Sequence, residues 1–143
     1  MSTSLDHAVP VPAASGVAAQ ALTVGAATID RIRSVKLSSI TLPLATPISD
    51  AKVFTGRQKP MTEVAFLFAE IRTEDGHEGI GFSYSKRAGG PGQFAHAQEI
   101  APVLIGEDPS DIGKIWTKLV WAGASVGRSG LSTQAIAAFD IAL

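Results

Sequence analysis

The sequence predicts an α+β fold, a three-stranded antiparallel meander followed by a three-helix bundle, and three observations carry that expectation. Strand-like apolar runs fill the stretch from Ile32 to Tyr84, an Asp-Gly reversal joins the second run to the third, and helical periodicity takes over after Gln93. A length of 143 residues suits one compact core.

Before the first strand, Met1 to Asp30 is rich in Ala, Val, Ser and Thr. It lacks the basic start and continuous apolar stretch of a signal peptide. Pro10 and Pro12 interrupt an early helix, so residues 1–30 read as a flexible N-terminal extension, with room for a short helix over Ala13 to Leu22.

The first strand is expected from Ile32 to Leu44, where Val35, Leu37, Ile40 and Leu42 stand among Ser38, Ser39 and Thr41, and Pro43 and Pro47 should end it. Ala45 to Pro60, with Pro47, Gly56 and Pro60 and few apolar residues, reads as a long connecting loop. Val64 to Ala69 is apolar at successive positions, which predicts a central strand covered on both faces. Glu74-Asp75-Gly76-His77 supplies the hairpin, and the third strand runs from Gly79 to Tyr84. A meander of this size needs helices or another domain to cover it.

Three helices follow. The first is expected from Gln93 to Ile105, kinked at Pro102 and closed by Gly106. The second has Asp108 as a cap, Pro109 in its first turn, and Ile112, Ile115, Trp116, Leu119 and Val120 on one stripe. The third spans Leu131 to Leu143, is apolar nearly all round, and stops with neither C-cap nor basic last turn, which predicts a chain cut inside a helix.

Composition removes several function classes. A net charge of −1 argues against a nucleic-acid partner, and no apolar run approaches the roughly 20 residues of a bilayer span, which argues against a membrane partner. With no cysteine there is neither a disulfide framework nor a thiolate metal site, and a cytoplasmic setting is expected. The histidines, His7, His77 and His96, form no ligand spacing and read as solvent-exposed. Glu74, Asp75 and Glu78 lack the spaced oxygens of a calcium loop and read as an ordinary acidic turn.

A meander brings the exits of its first and third strands to one edge, and both exits are basic. One carries Lys52, Arg57 and Lys59 with only Asp50 opposing; the other reads Ser83-Tyr84-Ser85-Lys86-Arg87 before a glycine-rich link. Such loops could grip an anion, with Arg87 forking a carboxylate, or could be a solvated surface with scattered cations. Tyr84 is either part of that site or a core-edge residue. The residues alone leave both alternatives open.

The blocks Ser49 to Val53, Thr55 to Pro60, Gly81 to Gly90 and Trp121 to Gly130, with Gly106 to Ile112 and Ala137 to Leu143, resemble the N-terminal capping domain of the enolase superfamily. The subgroup is that of mandelate racemase, and the resemblance is strongest to the dehydratases of galactarate and L-talarate. It covers about Arg31 to Leu143 and implies a capping domain over residues 31–143, cut short of the (β/α)8 barrel. It also implies that Asp50, Ala51, Lys52, Lys86 and Arg87 contact a sugar diacid. The family reaction begins with removal of the proton α to a carboxylate, gives an enediolate stabilised by Mg²⁺, and ends with loss of the β-hydroxyl. Base, acid and metal ligands all lie on the barrel, so no catalytic or metal-binding residue is expected in this segment. A homo-oligomer is expected too. The alternatives are a cap for another acid-sugar dehydratase or a racemase, and a freestanding small-molecule binding module.

Overall fold

The computed structural model describes residues 28–143. His7, the short helix expected over Ala13 to Leu22, and all of the expected extension before Thr28 lie outside the described residues.

Strands β1 (Ile32–Ile48), β2 (Met61–Thr73) and β3 (Glu78–Lys86) form one antiparallel sheet in the order β1-β2-β3. A four-residue helix, α1 (Ala51–Phe54), interrupts the first connection, and α2 (Gly90–Ile100), α3 (Ile112–Ala122) and α4 (Leu131–Ala142) follow the sheet. The expected meander and its three helices are present; α1 was not anticipated. It forms because Asp50 caps it.

Register assigns the two faces. Phe66 lies opposite Ile40 and Tyr84, and Leu67 opposite Ser39 and Ser83. Successive side chains alternate, so Leu67, Ala69 and Ile71 turn to the helices and join Ile100, Leu104, Ile115, Leu119 and Phe139 in the core. The expectation that both faces of β2 are covered is corrected: Phe66 and Phe68 stack on the other face with ring centroids 6.0 Å apart, while Ile40, Leu42, Phe82 and Tyr84 beside them are exposed. An aromatic cluster on one sheet face thus reads, in sequence, like a strand buried on both sides.

Helix α4 approaches β3 more closely than any side chain would permit. A Cβ at Gly79 would stand 1.9 Å from the Ala142 carbonyl oxygen, and one at Gly81 2.0 Å from that of Ala138. These glycines are there for close approach.

Four local expectations are corrected. Strand β1 continues through Pro43 and Pro47 to Ile48, because among the described residues it is an outer strand paired only with β2 and missing amides do no harm there. Helix α2 begins at Gly90, and at Pro102 the chain tightens into a 3₁₀ turn (Ala101–Leu104) instead of kinking. Asp111, not Asp108, caps α3, accepting from the Lys114 amide at 3.3 Å; Asp108 instead holds the Ser110 amide and hydroxyl at 2.9 and 2.6 Å. His96 is buried, with Nε2 3.2 Å from the Ser132 hydroxyl.

Candidate functional site

Antiparallel pairing gathers the end of β1, the start of β2 and the end of β3 at one edge, where Ile48 faces Met61 and Val64 faces Lys86. All five residues expected to meet substrate lie there. Asp50 is the N-cap of α1, Ala51 and Lys52 form its first turn, Lys86 ends β3 and Arg87 follows it.

Residues 49–60 form an ordered knot. The Asp50 Oδ1 accepts from the Lys52 and Val53 amides at 3.1 and 3.3 Å, and the Lys52 carbonyl accepts from the Arg57 and Gln58 amides at 2.9 and 3.1 Å. The second loop, residues 87–89, is short and anchored from below: the buried Ser85 hydroxyl donates to Gln93 Oε1 of α2 at 2.7 Å.

Arg87 joins the two loops. It is the one non-glycine residue with positive φ (62°) among the described residues, and the Ala88 amide donates to the Lys86 carbonyl across it at 2.6 Å, closing a three-residue turn. Left-handed backbone costs a side-chain-bearing residue about 1–2 kcal/mol. Its Nη1 is 3.2 Å from Asp50 Oδ2, and its Nε donates to the Lys59 carbonyl at 3.1 Å. The guanidinium therefore holds both ends of the 49–60 loop. Desolvation pushes the Asp50 carboxyl up, but the Val53 amide, the Arg87 charge and the Lys52 amide outweigh it and keep the group below the usual carboxylate range. Asp50 and Arg87 stand ionised against each other.

The remaining cations are uncommitted. Among the described residues Lys52, Arg57, Lys59 and Lys86 make no ion pair, and Lys86 Nζ lies 5.6 Å from the centre of the Tyr84 ring. Ser83, Ser85, Lys86, Ala88 and Gln134 line a groove of about 440 Å³ with Tyr84. This edge offers an anion several donors, with α2 starting beside them.

The opposite end of the sheet is chemically separate. His77 Nδ1 pairs with Asp30 Oδ2 at 2.9 Å, and the acidic hairpin residues gather no ligand set. No group of three or more His, Asp or Glu side chains among the described residues is placed to hold a metal ion. Among the described residues nothing fits the Mg²⁺ that the family resemblance implies.

Sequence reasoning missed the Arg87 tie and the Ser85–Gln93 and His96–Ser132 pairs. A signal for the last two existed: Gln93, His96, Ala97 and Ile100 have helical one-face spacing, which marks the polar pair as inward.

Residues 39–143 match the family described as mandelate racemase / muconate lactonizing enzyme, N-terminal domain. The chain belongs to that family. Among its relatives, the L-talarate/galactarate dehydratase of Salmonella typhimurium LT2 is 71% identical over 118 residues, which cover 82% of this chain and 30% of that protein. The crystal structure of the same Salmonella enzyme superposes on this capping domain with a TM-score of 0.79 at 68% identity, covering 90% of this chain and 33% of that one. The L-talarate dehydratase of Polaromonas sp. JS666, solved with Mg and L-glucarate, gives 0.74 at 80% identity over 79% of this chain and 30% of that one. This mandelate racemase-type chain thus spans about a third of the length of the relatives it matches.

Proposed function

We propose that this chain is the N-terminal substrate-recognition cap, over residues 31–143, of a longer Mg²⁺-dependent dehydratase that removes water from galactarate and L-talarate. The observation that carries the reading is the basic edge, where two loops of opposite strands are held together and leave lysines free, in a chain 71% identical to the Salmonella enzyme. A six-carbon diacid has one carboxylate at the reacting end and a second that needs cationic partners elsewhere. In this proposal Asp50, Ala51, Lys52, Lys86 and Arg87 form the wall around the distal end. The proton α to the other carboxylate is removed, and the β-hydroxyl lost, by groups on a barrel domain that also holds Mg²⁺. Reprotonation of the enediolate would give epimerase activity as well. The whole protein would be a cytoplasmic homo-oligomer, for which the exposed aromatic sheet face supplies an apolar surface.

Two measurements test the reading. The native gene product should have a mass of about 40 kDa or more, since a (β/α)8 barrel adds roughly 250 residues. That product should form a keto acid from galactarate and from L-talarate; absence of turnover on both ends the substrate assignment.

A further inference from the structure

Within this edge Arg87 and Asp50 occupy a position the other basic residues do not. Arg87 stands on the short connection between β3 and α2, whose base is fixed by the buried Ser85–Gln93 hydrogen bond. The partner it reaches is the long connection, at both of its ends: the Asp50 carboxylate where residues 49–60 begin, and the Lys59 carbonyl where they finish. Its side chain is only 18% exposed, and the unfavourable positive φ is maintained where glycine would be the unstrained choice. A guanidinium reserved for a ligand carboxylate would be expected to point its fork into open solvent. This one spends Nε and Nη1 inside the protein.

We propose that Arg87 is a positioning residue, a clasp that sets residues 49–60 over the site through Asp50 and Lys59, while Lys52 and Lys86 supply the charge that meets the distal carboxylate. The proposal deepens the dehydratase reading and rests on it for the identity of the anion; the clasp itself is a statement about the loops. Asp50 has two tasks with its two oxygens, capping α1 with Oδ1 and holding Arg87 with Oδ2. Removing its charge while keeping its capping oxygen therefore separates the tasks, and asparagine does so.

The test uses the native full-length protein and the variants Arg87→Gln, Asp50→Asn and their combination. The first readout needs no substrate. Lys52 and Arg57 are trypsin sites inside the clasped loop, whereas Lys59 is followed by Pro60 and resists cleavage. Arg87→Gln, which removes the ion pair and the hydrogen bond to Lys59, should accelerate cleavage at Lys52 and Arg57 roughly fivefold to tenfold, and Asp50→Asn, which removes the ion pair alone, roughly twofold to fivefold. The double variant should add little to Arg87→Gln, because both act on one contact. Unchanged cleavage in both single variants overturns the clasp, whether or not the protein turns over a diacid.

The second readout is the KM split. As a clasp, Arg87→Gln should raise KM for a sugar diacid and for the matching monoacid by the same factor, and Asp50→Asn should do likewise, while Lys86→Met penalises only the diacid. If Arg87 instead gripped the substrate, Arg87→Gln would raise KM for the diacid far more than for the monoacid, and that result overturns the proposal. No turnover of any diacid, with accelerated cleavage, would leave the clasp standing and remove only the dehydratase reading.

Discussion

The two ends of the sheet are closed by different physics. At the hairpin end α4 lies against the backbone of β3, with carbonyl oxygens where side chains at Gly79 and Gly81 would have to be. At the lid end the joints are polar: Ser85 to Gln93, and Arg87 to Asp50 and Lys59. Close packing has one solution, whereas a polar joint can open and close again at modest cost. Under the proposed function, a cap that admits a ligand at one end and stays folded at the other would be built in this way. Each end also carries an aspartate tie, but the partner is a histidine at one and an arginine at the other.

The largest effect should come from violating the packed end. Gly81→Ala drives a methyl group into the Ala138 carbonyl and is expected to cost more than about 3 kcal/mol of unfolding free energy, read from the denaturation midpoint. A shift below about 1 kcal/mol would mean that α4 slides freely and that the contrast between the ends is false.

Next is the buried polar joint at the lid end. Ser85→Ala strands the Gln93 oxygen in the interior and should cost about 1–3 kcal/mol. The accompanying loss of amide-exchange protection should concentrate in residues 85–93 and leave β3 near Gly81 protected. Uniform loss along the strand would erase the distinction.

The smallest effect separates the two ties by pH. At the hairpin end, hydrogen bonding to Asp30 and its charge raise His77 above its usual 6.5. Desolvation opposes ionisation of Asp30, but hydrogen bonds from Thr73, His77 and the Asp75 amide overcome it and hold the carboxyl at about 2, against an ordinary 3.8. Histidine's contribution is complete below 6.5 and is lost as pH rises through its elevated value; aspartate's is complete above 3.8 and is lost as pH falls toward 2. The Asp75 amide, which donates to Asp30 at 3.0 Å, should therefore be best protected between about pH 4 and 6.5, after correction for intrinsic exchange. The Arg87 tie contains no histidine and should show no loss on the alkaline side. Equal sensitivity of both loops above pH 7 would break the comparison.

Much of the fold was legible because its signals are local. Alternation in Val35 to Leu42, the Asp75-Gly76 turn with Gly76 at φ 93°, and the Ile115–Leu119 spacing each act within a few residues. The basic edge was legible too, because antiparallel topology and charge suffice to gather it. What escaped depends on distant partners. Helix α1 is too short to announce itself by periodicity, and the tie from Arg87 to Asp50 joins residues whose sequence neighbourhoods say nothing of each other. Pro43 and Pro47 misled because their meaning depends on whether the strand is outer or inner, which no local window contains.

Those two prolines have a further consequence. A sheet of three strands with an exposed aromatic face invites a fourth strand to add along β1 and carry the sheet into the next molecule. Any newcomer would meet a border missing two amide donors, at Pro43 and Pro47, in the half nearest the lid. Among the described residues the β1 border thus resists strand addition where the prolines stand, while the aromatic face beside it stays open to packing.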